Sequence, residues 1–467
     1  MKKKNILFVF STLSIIALAG CSCSINSKNN SNANSSSENV DGNEGGSGSG
    51  INNGSEVSYD SEPNIDGEFL LVTSDGTFTN SGSIYTITTS GTYTASGSLS
   101  NGQLYIDVDS SDTGDVVIEL NNASIVYSEN SPIYVASAEE VHIKALSGTS
   151  NLIKDTRSHM TTESTSQGSG AIYSSCDLHL NGSGTLVVNA NYNNGVHCSD
   201  DLVVKNQNLQ VTAYNNALKG ADSVTIESGT LKLCSITGNG IKSENSDVSS
   251  KGNQRGNIEL QSGNIYIDVP QDGIDASYDA LINESVGDLY LQIYTGKYSS
   301  NSSNYSSSNS AKGIKAANEI TIDAGEVVLK TSDDAIHANR DTTTKLGNGS
   351  YGAGNVTINN GYISINYAGD DGIHADMYVT INGGVTYIYN ATEGIEANFI
   401  YITGGSTYVF GTDDGLNASK KSNYTPEIVV SGCYLDVAVW LLYVFWAVLA
   451  KDLIHALDVN VAPDMCS

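Results

Sequence analysis

Basic residues are scarce in this chain of 467 residues, where 22 Lys and Arg face 51 Asp and Glu for a formal net charge of −29. A nucleic-acid binder needs a basic footprint, so that class is excluded. Charged residues are only 16% of the total, so the acidity reflects missing base and not runs of acid. Pro (5), Trp (2) and Phe (7) are also few, whereas Gly (47) and Tyr (26) are plentiful. With Asn, Ser and Thr, that bias favours many short strands joined by turns. Cys23, Cys176, Cys198, Cys234, Cys433 and Cys466 show no metal or disulfide spacing. The middle three read as buried or shielded thiols. Apolar residues reach 39%, too many for disorder throughout.

At the N-terminus, Lys2, Lys3 and Lys4 precede an apolar stretch from Ile6 to Ala19, and Leu18-Ala19-Gly20-Cys21 follows. This is a basic n-region, a short h-region and a small-residue cleavage site, a signal peptide over 1–20. The last four residues resemble the bacterial lipoprotein signal, which implies lipidation of Cys21; an ordinary secretory leader is the alternative. Loss of the three lysines would take the net charge to −32. Residues 21–64 are rich in Ser, Asn and Gly and read as a flexible linker. The expectation is a protein lipid-anchored through Cys21 on the extracellular face of a bacterial membrane. No other segment before residue 434 is apolar enough to span one.

A short block recurs along the chain: Asn194-Gly195-Val196-His197, Asn216-Ala217-Leu218-Lys219, Asn239-Gly240-Ile241-Lys242, Asp272-Gly273-Ile274-Asp275 and Lys312-Gly313-Ile314-Lys315. It continues as Asp334-Ala335-Ile336-His337, Asp371-Gly372-Ile373-His374, Glu393-Gly394-Ile395-Glu396 and Asp414-Gly415-Leu416-Asn417. The successive spacings are 22, 23, 33, 40, 22, 37, 22 and 21, a unit of about 22 residues with three longer insertions. Each block precedes two alternating strands with Gly between them, as in Val379-Thr380-Ile381-Asn382-Gly383-Gly384 and Val385-Thr386-Tyr387-Ile388-Tyr389. Glycine there supplies positive φ. Three short strands per unit predict an all-β, right-handed, single-stranded parallel β-helix over 65–437. A leucine-rich repeat lacks its Leu and Asn ladder here, and propeller blades need about 40 residues each.

Aligned coils place Asp272, Lys312, Asp334, Asp371, Glu393 and Asp414 in one column, with Asp333, Asp370 and Asp413 just before it. Lys219, Lys242, Asp275, Lys315, His337, His374, Glu396 and Asn417 form another. Two carboxylates one coil apart repel by about 3 kcal/mol at an effective dielectric near 20, which calls for a cation, a proton or solvent. Oxygen donors without Cys suit Ca²⁺ better than Zn²⁺. Candidate ligands are therefore Asp272, Asp275, Asp333, Asp334, Asp370, Asp371, Glu393, Glu396, Asp413 and Asp414. Solvated turn carboxylates are the alternative, and His337 and His374 read as stacked polar residues. Tyr387, Tyr389, Tyr408 and Phe410 predict an exposed aromatic quartet suited to sugar rings. A lyase reading would cast Lys219, Lys242 or Lys315 as the base, but adjacent carboxylates raise a Lys pKa and work against it.

Over Ser90 to about Asp436, Ser90-Gly91-Thr92-Tyr93, Val117-Ile118-Glu119-Leu120-Asn121, Leu180-Asn181-Gly182-Ser183-Gly184 and the Asp-Gly-Ile repeats occur in order. Together they resemble the clostridial-type surface β-helix family of "carbohydrate-binding domain-containing" proteins. That resemblance implies a fold related to calcium-dependent pectate lyases, binding of acidic or cellulosic plant polysaccharide without known lyase action, and Ca²⁺ at Asp272, Asp334, Asp371 and Asp414. Neutral Asn216 and Asn239 depart from the family pattern, and the metal is not carried to those coils. After Asp436 the pattern stops; residues 438–467 open with an apolar run holding both Trp residues. A frameshifted or truncated end is the leading explanation, with a capping helix or weak membrane contact as alternatives. The leading expectation is a monomeric, non-catalytic, Ca²⁺-binding protein that holds polysaccharide. A calcium-dependent lyase and a structural or adhesive rod are the competing ones.

Overall fold

A computed structural model describes residues 58–161, 167–420 and 424–439, all within one compact unit that begins at Ile51. Cys21, the leader, most of the linker and residues 440–467 lie outside the described residues. Among those described there is no α-helix, and no helix is long and apolar enough to cross a membrane.

The unit is an all-β, solenoid-like sheet. After the first strands, each strand pairs in parallel with the equivalent strand one repeat later, so Thr185–Ala190 pairs with Gln207–Ala213, which pairs with Gly229–Ser235. Strict alternation explains this. In Glu140–Ala145 and Asp177–Asn181, every second residue is buried and its neighbours face outward. The inward positions form columns of aliphatic residues, mostly Ile, Val and Leu. Ile133, Ile172, Val196, Leu218, Ile241, Ile274, Ile314, Ile336, Ile373 and Ile395 stack along one of them, none more than 1% exposed. No coil could bury such a face alone, so stability is shared between neighbours.

Glycine does two different jobs in each coil. Between the second and third strands, Gly361, Gly384 and Gly405 take φ of +103°, +75° and +72°, as a tight turn there requires. The glycine before Ile is not in that region. A Cβ on Gly240 would sit 2.5 Å from the Gly273 carbonyl oxygen and 2.4 Å from Ile267 Cγ2, so close stacking selects a small residue. Ala217 and Ala335 fill the same position.

Two expected boundaries move. The chain does not begin coiling in parallel at residue 65. Leu70–Thr73 pairs antiparallel with Gly91–Leu99, and Phe78–Ser81 folds antiparallel onto Ile84–Ile87, which protects the first open edge. The last residues assigned to the linker are also tied down. The Asp60 backbone exchanges hydrogen bonds with the Gln210 amide at 2.6 and 2.8 Å, and Glu62 pairs with Lys154 at 2.7 Å. Cys176, Cys198, Cys234 and Cys433 are free, and the last three are buried.

Candidate functional site

One outward column runs through twelve coils: Tyr105, Tyr134, Tyr173, His197, Lys219, Lys242, Asp275, Lys315, His337, His374, Glu396 and Asn417 stand in register, one per coil. In the neighbouring column Asn and Asp both occur at buried positions, and one bond explains why. A side-chain oxygen there accepts the backbone N–H of the next coil. Asn216 accepts from Asn239 (3.1 Å), Asn239 from Asp272 (2.9 Å), Asp272 from Lys312 (2.8 Å) and Asp334 from Asp371 (2.9 Å). Asn and Asp serve this bond equally. An Asp adds a second, charged oxygen that must be matched when only 2 to 4% of the residue is exposed, as at Asp272, Asp334 and Asp371.

The adjacent column, together with Lys312 of the same column, supplies the match. Lys315 Nζ lies 3.2 Å from both Asp272 and Asp275, and Lys242 pairs with Asp275. Lys312 lies 2.8 Å from Asp333 and 2.9 Å from Asp334, while the His337 and His374 Nδ1 atoms face Asp334 and Asp371. The two imidazoles stack at 4.3 Å. Burial opposes the charge on Lys315, but Asp272 and Asp275 outweigh it and push the ammonium up to about 12. Such a lysine keeps its proton and is a poor general base. Burial alone would raise Asp334, yet His337 and Lys312 outweigh it and hold the carboxyl below the usual range. Burial chiefly pushes Asp371 up to about 7, helped by the charges of Asp334 and Asp370.

These pairings sort the ten expected metal ligands. Asp333, Asp334 and Asp370 present oxygens within 4.8 Å of one another, and Asp371 does so with His374 and Glu396. Asp272, Asp275, Glu393, Asp413 and Asp414 join no such group among the described residues. For Asp272 and Asp275 the reason is plain: ammonium groups occupy the positions an ion would take.

The aromatic quartet also differs from expectation. Tyr387 and Tyr408 stack at 4.4 Å, but the register shifts after Ile388, so Tyr389 leans on Tyr387 at 5.5 Å and Phe410 lies opposite Ala438. All four are half-buried, and Tyr387 stacks between Tyr389 and Tyr408, where open faces were expected. Tyr362 and Tyr434 extend the row at 5.8 and 5.3 Å, and Tyr434 is 53% exposed. A separate aromatic group, with Tyr378 on Phe399 at 4.7 Å, went unnoticed in the sequence.

The cleft went unnoticed too. The insertion after Ile241–Ser243 folds back over the second-strand face, braced by Asn348, which donates to the Ser246 carbonyl (2.8 Å) and the Gln254 amide oxygen (3.0 Å). It closes a cleft of about 430 Å³ whose lining contains no apolar residue. Asp177, Asp200, Asp201, Asp222 and Glu259 form one side; Lys251, Gln254 and Arg255 belong to the insertion. Arg255 Nε reaches Asp222 at 2.5 Å. Asp177, Asp200 and Asp201 bring oxygens within 4.8 Å of one another. Partial burial, then the Asp177, Asp222 and Asp201 charges, push Asp200 up to about 6. The only signal for this in the sequence is the spacing of 33 between Asn239 and Asp272.

His197, in the outward column, is neutral when folded. Burial, with the Lys219 charge adding, brings it down to about 4. A folded pKa below the unfolded value near 6.5 means the unfolded chain binds the proton more tightly. The stabilisation is complete above about pH 6.5 and is lost as pH falls toward 4. Substitution His197→Gln should therefore narrow the stability gap between pH 7 and pH 4.5, as read by denaturant midpoints; an unchanged gap contradicts this.

Parallel, in-register columns of polar residues beside a polar cleft place this chain among solenoid-like all-β proteins. The chain belongs to the family "Carbohydrate-binding domain-containing protein", whose model matches residues 81–354 and 341–438. A protein of that name from Acetivibrio thermocellus is 30% identical over 230 residues, covering 46% of this chain and 66% of the relative. A solved structure described as the polysaccharide lyase-like protein from C. thermocellum, a gadolinium derivative, is 32% identical with a TM-score of 0.43, covering 48% of this chain and 86% of that chain.

Proposed function

We propose that this protein binds polysaccharide, without cleaving it, in the cleft beneath the insertion, at the extracellular face of a membrane to which Cys21 anchors it as a monomer. The observation that carries the reading is a lining made entirely of hydrogen-bonding side chains. Such a lining suits a hydroxylated chain, whose groups need donors and acceptors along their length. The family name points the same way. Acidic and cellulosic glycans are the two candidate classes. We also take the solenoid to be right-handed, because parallel strand crossovers are overwhelmingly of that hand.

Calcium belongs to the same proposal. Asp177, Asp200 and Asp201 are an all-oxygen donor set of the kind a hard cation takes, whereas at Asp333, Asp334 and Asp370 an ion would have to displace Lys312, which lies 2.8 and 2.9 Å from the first two. The carboxyls of Asp177, Asp200 and Asp370 are each raised by burial first and by neighbouring acids after it, so a cation would relieve real repulsion. Bound there, Ca²⁺ would supply a positive bridge to a uronate carboxylate, which the protein's own net charge of −29 otherwise repels. Retention on polygalacturonate and on cellulose, with and without chelator, tests this. Pectate retention should vanish in chelator while cellulose retention persists. No retention on any glycan would remove the binding reading. Steady release of unsaturated uronate would replace it with a lyase.

A further inference from the structure

We propose that Glu140, His142 and His179 form a binding site for a divalent transition ion of the Zn²⁺ class, distinct from the oxygen-only groups above. Glu140 and His142 are two residues apart on the outer face of Glu140–Ala145, so both project to the same side. His179 is the register partner of His142 in the next coil, and the imidazoles lie 4.7 Å apart. Both Nε2 atoms converge on one oxygen: Glu140 Oε1 is 3.0 Å from His142 and 2.8 Å from His179.

Two histidines and a carboxylate are the donors a borderline ion selects, and Ca²⁺ does not. Bond lengths of about 2.0–2.2 Å put tetrahedral ligand atoms roughly 3.4 Å apart, so the triad needs to open by only about 0.5 Å. A fourth position is at hand, because Asp115 Oδ2 lies 3.9 Å from His142 Nε2. The three side chains are 23 to 30% exposed, which leaves an entry path for an ion and room for water. Without an ion, Glu140 accepts from two Nε2–H groups. With one, each ring carries its proton on Nδ1 instead. The Asn181 amide lies 3.3 Å from His142 Nδ1, and turning it over presents its oxygen as acceptor for that proton.

The test uses the full chain. Zn²⁺ is titrated against a chromophoric chelator, and Cu²⁺ is added for electron paramagnetic resonance. The expected result is one ion held by two imidazole nitrogens and undisturbed by millimolar Ca²⁺. Loss of an outer partner typically costs about 10–100-fold, so removing two direct ligands in His142→Ala/His179→Ala should weaken binding by at least about 100-fold. Glu140→Gln, which keeps a hydrogen-bond acceptor, should weaken it also and serves if the double variant fails to fold. Calcium-dependent retention on pectate should be kept by His142→Ala/His179→Ala, which leaves Glu140, the register partner of Asp177 in the cleft, in place, and this separates the site from the glycan reading. The proposal is overturned if no ion binds, if both variants keep wild-type affinity, or if His337→Ala/His374→Ala abolishes the two-nitrogen signal instead.

Discussion

Replacing Lys315 with Met should cost about 3–5 kcal/mol, because it leaves two buried carboxylates without their shared cation. Asp272 and Asp275 side chains are 4% and 13% exposed, and each has an oxygen 3.2 Å from the Lys315 ammonium, itself 25% exposed. Water cannot replace that charge at Asp272. Its other oxygen is already committed to the Lys312 backbone and to Ser310 Oγ at 2.6 Å. Solenoids need not unfold in one step, so the loss should be read locally, as faster amide exchange in Ile274–Ala276 and Ile314–Ala316. Adding Asp272→Asn to the same chain should recover most of it, because Asp275 keeps Lys242 as its partner. An amide still accepts from the Lys312 N–H, as Asn216 and Asn239 do for their neighbours. A loss under about 1 kcal/mol, with no recovery, would show that the column is not held by its charges.

The second large effect concerns the cleft. Asp177→Asn, Asp200→Asn and Asp201→Asn together should lower affinity for polygalacturonate in Ca²⁺ by at least about 100-fold, near 2.7 kcal/mol. The substitutions keep volume and hydrogen-bonding capacity while removing the charge that would hold the ion. Cellulose should lose no more than about threefold, since hydroxyl groups need acceptors and donors but no bridge. Calorimetry on both glycans separates the two. Equal losses on both would place the effect in the shape of the cleft, and no loss on either would move the glycan elsewhere on the surface.

Much of the fold could be read from the chain before any coordinates. The Asp-Gly-Ile repeats aligned Lys219 through Asn417 in the register the strands adopt, because one residue per coil in a parallel ladder cannot slip without turning the inward Ile outward. The aromatic register failed past Ile388 because a local irregularity between Ile388 and Ala391 leaves no trace in the alternation. The metal ligands were half legible. Stacked acids were visible in sequence, but Lys242, Lys315, His337 and His374 stand one column over and Lys312 within the column itself, and only side-chain direction shows which acids are already neutralised.

The scarcity of base that marks the composition argues on its own against a nucleic-acid binder and makes the chain's charge a burden on any anionic ligand. Periodicity alone determined the repeat, the strand count per coil and the inward Ile column, since those depend on spacing along the chain. Where the functional groups meet was decided by the tertiary structure. Asp200 and Arg255 converge through an insertion that could have folded to either side, and His142 meets His179 across 37 residues. Contacts of that kind depend on distances through space, which a pattern along the chain does not carry.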